Sequence, residues 1–154
     1  MTNSELETAV RHFVRESPHN RIAEEDAFEP RLVGMRIHDE PLIGFASAQD
    51  PLFTEEFKRS GIIHPEYKAP EEWLADARTV ISIFFPFTQE VKRSNRSKRD
   101  EPYEGGISQR CSTEWLHARI EGQLFLNEAT DFVQQILLAQ GSRVVCPSSS
   151  KDFV

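Results

Sequence analysis

The chain has 154 residues, a formal net charge of −7, 28% charged residues and 38% hydrophobic ones, enough for one compact domain with a single core. Eleven Phe and two Trp exclude a disordered chain, because disordered chains are poor in aromatics. The acidic balance excludes a general nucleic-acid binder, whose affinity rests on neutralising phosphates.

The N-terminus, Met1-Thr2-Asn3-Ser4-Glu5-Leu6-Glu7, has neither a basic n-region nor an apolar h-region, so no secretory signal is visible and cytoplasmic residence is the expectation. Apolar runs such as Ile83-Phe84-Phe85 are too short to span a bilayer, and no membrane partner is expected.

Ser4 and Glu7 read as a capping box. With Leu6, Val10, Phe13 and Val14 on one face, they predict a helix from about residue 4 to 16, ended by Ser17-Pro18. Arg21 to Pro30 has little periodicity, and Glu24-Glu25-Asp26 suits a solvated turn. Leu32–Ile37 and Leu42–Ala46 are short apolar runs joined by His38-Asp39-Glu40-Pro41, and read as two strands of a hairpin. Phe53–Arg59 follows as a short helix stopped at Gly61, and Pro70 opens another helical turn.

Thr79–Phe85 is the clearest strand, β-branched, aromatic and closed by Pro86. Its near-continuous apolarity predicts an interior strand covered on both faces. Residues 88–112 are a long polar stretch with Lys92, Arg93, Arg96, Lys98 and Arg99, in the manner of a binding loop, a lid or a disordered segment. Thr113 is expected to cap the longest helix, running to about Gln140. Its stripe is Leu116, Ile120, Leu124, Phe125, Ala129, Phe132, Val133, Ile136 and Leu137, with Gly141 as the stop. Arg143–Pro147 opens a last strand that little of the remaining chain can extend. Strand, crossover helix and strand predict an α/β class in one domain over residues 1–154, incomplete at its C-terminal end.

Two segments carry a family resemblance. His64–Leu74 leads into the strand Thr79-Val80-Ile81-Ser82-Ile83-Phe84-Phe85. This resembles the segment of epoxyqueuosine reductases and related iron–sulfur proteins in which a leucine-proline-glycine turn precedes a valine-isoleucine-serine strand. Here the turn is Leu74-Ala75-Asp76-Ala77, a departure from that pattern. Thr113-Glu114-Trp115-Leu116-His117-Ala118-Arg119-Ile120-Glu121-Gly122 is similar to the tryptophan-leucine-histidine-alanine-arginine-isoleucine-glutamate helix of one branch of these proteins. The matches span about residues 40–147.

The resemblance implies an α/β (α+β) domain of nitroreductase-like fold, with a mixed sheet flanked by helices. It implies a cobalamin held by this domain, and a C-terminal double-cluster ferredoxin domain that reduces the cobalt. It also implies an oxidoreductase acting on epoxyqueuosine in tRNA. The ferredoxin cysteine runs are not in this chain, so the chain is expected to be an N-terminal portion, inactive alone, that needs the ferredoxin domain or a separate electron donor, with a genuinely short protein as the alternative. Cys111 and Cys146 cannot supply the four thiolates of a 4Fe-4S cluster, so none is expected here.

By resemblance Glu114 is the equivalent of an acid that supplies a proton. It would serve if burial beside Trp115 raised its pKa; a first-turn carboxylate favourable to the helix macrodipole is the plainer alternative. His117 is a second catalytic candidate, or else an exposed helical histidine. Trp115, Arg119 and Gly122 are candidates for holding the cofactor. Trp115, like Trp73, is equally suited to anchoring a core, and Arg119 and Glu121 to being surface charges. A glycine inside a helix costs about 1 kcal/mol relative to Ala, so Gly122 marks either a close approach by a backbone or flat ligand, or a tolerated cost. The basic cluster would suit tRNA phosphates or a solvated loop. A non-catalytic module for a corrinoid or another flat cofactor, or a degenerate relative without ligand, are the alternatives to the enzyme.

Overall fold

The computed structural model describes residues 1–59, 63–64, 66–99 and 111–150, with only the backbone of 98 and 99. Helix α1 (Asn3–Glu16) is capped by Thr2, not Ser4: Glu5 N–H donates to Thr2 Oγ1 at 3.2 Å and Thr2 N–H to Glu5 Oε2 at 2.7 Å. The box is the same device two residues earlier, because Thr2 and Glu5 share the spacing of Ser4 and Glu7.

Strand β1 (Leu42–Ser47) pairs antiparallel with β2 (Thr79–Phe84), placing Leu42 opposite Phe84 and Ser47 opposite Thr79. Between them a π-helical turn, Leu52–Glu56, runs into α2 (Phe57–Arg59), and Pro70 opens α3 (Pro70–Trp73). Gly61, the expected stop, lies outside the described residues. Helix α4 (Gln89–Arg99) and the long α5 (Thr113–Ala139) follow. The fold is mixed α/β.

Several expectations are corrected. Leu32–Ile37 is not a strand: Leu32 ends a 3-10 turn, and Arg36 and His38 make only single bridges, to Arg21 and Phe87. Among the described residues the sheet has two strands, so β2 is an edge strand and not an interior one. Ile43, Phe45, Ile81 and Ile83 face the helices, while Leu42 and Phe84 are 63% and 61% exposed. Arg143–Cys146 forms no strand, so the expected strand, crossover helix and strand is not found among the described residues. Part of the 88–112 stretch is helical, held through Val91 at 0% exposure.

Two buried clusters hold the layers together. Leu6, Val10 and Val14 of α1 meet Phe125, Ala129 and Val133 of α5, beneath the inner face of the sheet. Phe13 of α1 stacks on Phe132 at 4.4 Å. The second cluster gathers Ile22, Leu32, Met35, Ile37 and Val91 against Ala118, near the start of α5. Within the expected stripe of α5, Phe125, Ala129 and Val133 are buried, whereas Leu116, Ile120 and Leu124 face out at 40%, 51% and 61% exposure. The helix turns its small-residue face, Ala118 and Gly122, inward at that end, which lets the loop carrying Ile37 and His38 pack close.

Candidate functional site

Ser112, not Thr113, caps α5. Its Oγ accepts from Trp115 N–H at 3.1 Å, and the Ser94 hydroxyl of α4 shares a hydrogen bond with it at 2.9 Å. Asn95 Oδ1 accepts from Ser112 N–H at 3.2 Å. Thr113 is free to donate its hydroxyl to Glu29 at 2.8 Å.

Glu114 is buried at 7% exposure and ion-paired to Arg31, which also holds Glu29 at 2.7 Å. Burial pushes the Glu114 carboxyl up. The Arg31 guanidinium and the hydrogen bonds at the helix start outweigh that, so its pKa lies below the usual carboxylate value. The rise that a proton donor needs is not there. The same contacts hold Glu29 below the usual range and Arg31 above its own.

His117 is fully buried at 0% exposure, correcting the expectation of an exposed helical histidine. Nε2 lies 3.2 Å from Phe28 N–H, which can only donate, so Nε2 is the acceptor. Nδ1 therefore carries the proton and donates to Glu121 Oε2 at 3.1 Å. The Phe28 ring lies over the imidazole at 4.3 Å between centroids.

Trp115 packs into the second cluster and meets the Phe87 ring edge-on at 5.1 Å. Arg119 is exposed. A Cβ on Gly122 would meet His38 Nε2 at 3.2 Å and Ile37 Cγ2 at 3.3 Å. The close approach inferred from the sequence is thus made by side chains of this chain. The space directly over Gly122 is thus occupied by His38 and Ile37. Lys92, Arg93 and Arg96 are exposed on α4, while the side chains of Lys98 and Arg99 lie outside the described residues. Cys111 is exposed, and Cys146, half-buried outside any strand, shares a hydrogen bond with Ser148 at 3.1 Å.

Sequence reasoning missed His38, placed there in a polar linker. It is 1% exposed and stacked against Phe87 and Phe125 at 5.0 and 5.4 Å. Nδ1 donates to Phe85 C=O at 3.2 Å, and Nε2 makes no hydrogen bond among the described residues. Burial lowers its pKa, with the carbonyls of Phe85, Gly122 and Pro86 offsetting only part. Asn20, also buried, pins it: Nδ2 donates to the carbonyls of Val14 and His38, and Oδ1 accepts from His38 N–H at 2.8 Å. A lone His between Ile37 and Asp39 carries no sequence signal for this.

An open cleft of about 2240 Å³ lies elsewhere. Its walls are the inner face of β2 (Ile81, Ile83), the C-terminal half of α5 (Val133, Leu137), the 141–148 tail, and Tyr67 and Trp73 from the segment before β2. Lys68 Nζ stands 4.7 Å above the Trp73 ring. None of Glu114, Trp115, His117, Arg119 or Gly122 lines it.

Among the described residues no group of three or more His, Cys, Asp or Glu side chains is arranged to hold a metal ion, and no helix is long and apolar enough to cross a membrane. Comparison with protein-family models, curated proteins and solved structures finds no match to this chain.

Proposed function

We propose that the chain is the corrinoid-side portion of an epoxyqueuosine-reductase-like oxidoreductase with a nitroreductase-like fold, and that the cleft beside β2 is the seat of the flat cofactor. The ferredoxin domain or a separate iron–sulfur protein supplies electrons, and tRNA is the substrate class that the resemblance brings. The observation that carries the reading is the cleft itself. At about 2240 Å³ it exceeds the roughly 300–1,000 Å³ of ordinary small-ligand pockets, and it offers aromatic surface from Tyr67 and Trp73. A cobalamin in it would supply cobalt-centred redox chemistry, while this chain's residues would bind and orient the macrocycle and exclude water from it.

A feature of the turn supports the resemblance. Asp76 has φ +62°, the left-handed conformation that glycine adopts at least cost. It stands third in Leu74-Ala75-Asp76, where the family's turn has glycine, so the departure in residue type falls at a position whose backbone suits glycine.

Titration of the purified chain with cob(II)alamin, followed by its absorption spectrum, tests the reading: saturable 1:1 binding is expected, and no spectral change with a folded chain contradicts it. One observation favours the second reading, a non-catalytic flat-cofactor module. Arg31 keeps Glu114 ionised, and an ionised carboxylate is no proton donor. Under that reading Glu114→Gln binds cob(II)alamin as the parent chain does, and a loss of turnover on that substitution in a chain joined to its electron donor overturns it.

A further inference from the structure

We propose that Phe28–Arg31 is a strap that gates His117, and that lifting it presents Nε2 of a carboxylate-held neutral imidazole to solvent. The strap belongs to a loop tied at its neck: Gly34 N–H donates to Ile22 C=O at 2.8 Å and Ile22 N–H to Met35 C=O at 3.1 Å. Ile22 and Leu32 are each 1% exposed, so the neck stays anchored in the second cluster while the residues between can move. Closed loops of this kind, packed by their own side chains, are frequently functional.

What holds the strap to α5 is polar and mostly at the surface. Phe28 donates its N–H to His117, Glu29 accepts from Thr113, and Arg31 clasps Glu29 and Glu114. The side chains of Arg31 and Glu29 are 56% and 41% exposed, and Phe28 itself is 57% exposed although its ring is the cover over a fully buried imidazole. The Arg31–Glu29 pair is exposed and contributes little, so the strap depends on Arg31 meeting Glu114, whose side chain is 9% exposed. Once Phe28 leaves, Glu121 still holds Nδ1–H, and Nε2 faces outward as a lone pair. A histidine oriented by a carboxylate in this way accepts a proton or ligates a transition metal.

Diethyl pyrocarbonate, which modifies accessible imidazole nitrogens, tests the gate, with the modified peptides mapped by mass spectrometry. His38 serves as the internal reference, since only global unfolding exposes it. The strap predicts that His117 in the intact chain reacts faster than His38, and that Arg31→Ala, which leaves the Glu114 carboxylate unpaired, raises the His117 rate about fivefold or more while leaving His38 unchanged. Equal rates for the two histidines, or a His117 rate unaltered by Arg31→Ala, overturns it. Should Arg31→Ala lose its fold, hydrogen exchange of the wild-type chain decides. The Phe28 amide must exchange well ahead of the α5 amides around Phe125, and equal protection of both overturns the strap.

Discussion

His38 Nε2 stands 3.2 Å from the position a Cβ would take on Gly122. The loop that carries Ile37 and His38 therefore packs on α5 so closely that a side chain at residue 122 would make its neighbours give by a few tenths of an ångström. Ala in place of Gly inside a helix gains about 1 kcal/mol of intrinsic propensity. Both neighbours are locked, however: Ile37 is 0% exposed and the His38 ring is wedged between Phe87 and Phe125. Overpacking a locked site costs about 1–3 kcal/mol, so Gly122→Ala is expected to lower stability on balance. A denaturant melt checks it, and a raised midpoint would show that the His38 loop yields.

Asn20→Ala removes two donated hydrogen bonds and one accepted bond at a site 1% exposed, and leaves the His38 amide buried without its acceptor. An unsatisfied buried group costs about 1–3 kcal/mol. The substitution is expected to cost about 2–4 kcal/mol by denaturant unfolding, and a loss below about 0.5 kcal/mol would mean that water replaces the amide.

The two faces of α5 separate in the same kind of experiment. Phe125 is 0% exposed and touches Phe13, Phe85 and His38, so Phe125→Ala should cost about 3–5 kcal/mol. Ile120 is 51% exposed, and Ile120→Ala should stay within about 0.5 kcal/mol. Comparable losses at the two positions would contradict the helix orientation.

The depressed pKa of His38 makes a signed prediction. The unfolded chain binds a proton near pH 6.5 and the folded chain only at lower pH. The stability from burying this imidazole neutral is fully present above about pH 6.5 and is lost as pH falls from there through the folded pKa. Proton NMR of the His38 ring should show a midpoint below about 6.5, and a midpoint above that value would contradict the buried neutral imidazole.

Legibility in the sequence followed where periodicity and burial coincide. Leu6, Val10 and Val14 mark α1 at helical spacing and are the residues that bury. The apolar run Thr79–Phe84 is correctly a strand, yet an apolar run does not distinguish a covered sheet from an edge whose Leu42–Phe84 pair stands at the surface. Helix α4 was hidden because Val91 alone anchors it, and one apolar residue makes no period. At the start of α5 the motif residues do gather, but around partners distant in sequence. Arg31 meets Glu114, Phe28 meets His117 and His38 meets Gly122, pairings that spacing along one helix cannot reveal. The cleft was out of reach for the same reason, as it joins β2 to the far end of α5 and the tail.

The most direct test of the cofactor seat compares two tryptophans in a cob(II)alamin titration. Trp73 lines the cleft, whereas Trp115 packs on Phe87 away from it. An aromatic contact contributes about 0.5–1.5 kcal/mol beyond its buried area, so Trp73→Ala should raise Kd by about threefold to tenfold. Trp115→Ala should lower the melting temperature and leave Kd of the folded chain unchanged. The opposite pattern, with affinity lost at Trp115 and kept at Trp73, would contradict a seat beside β2 and return the cofactor to the start of α5.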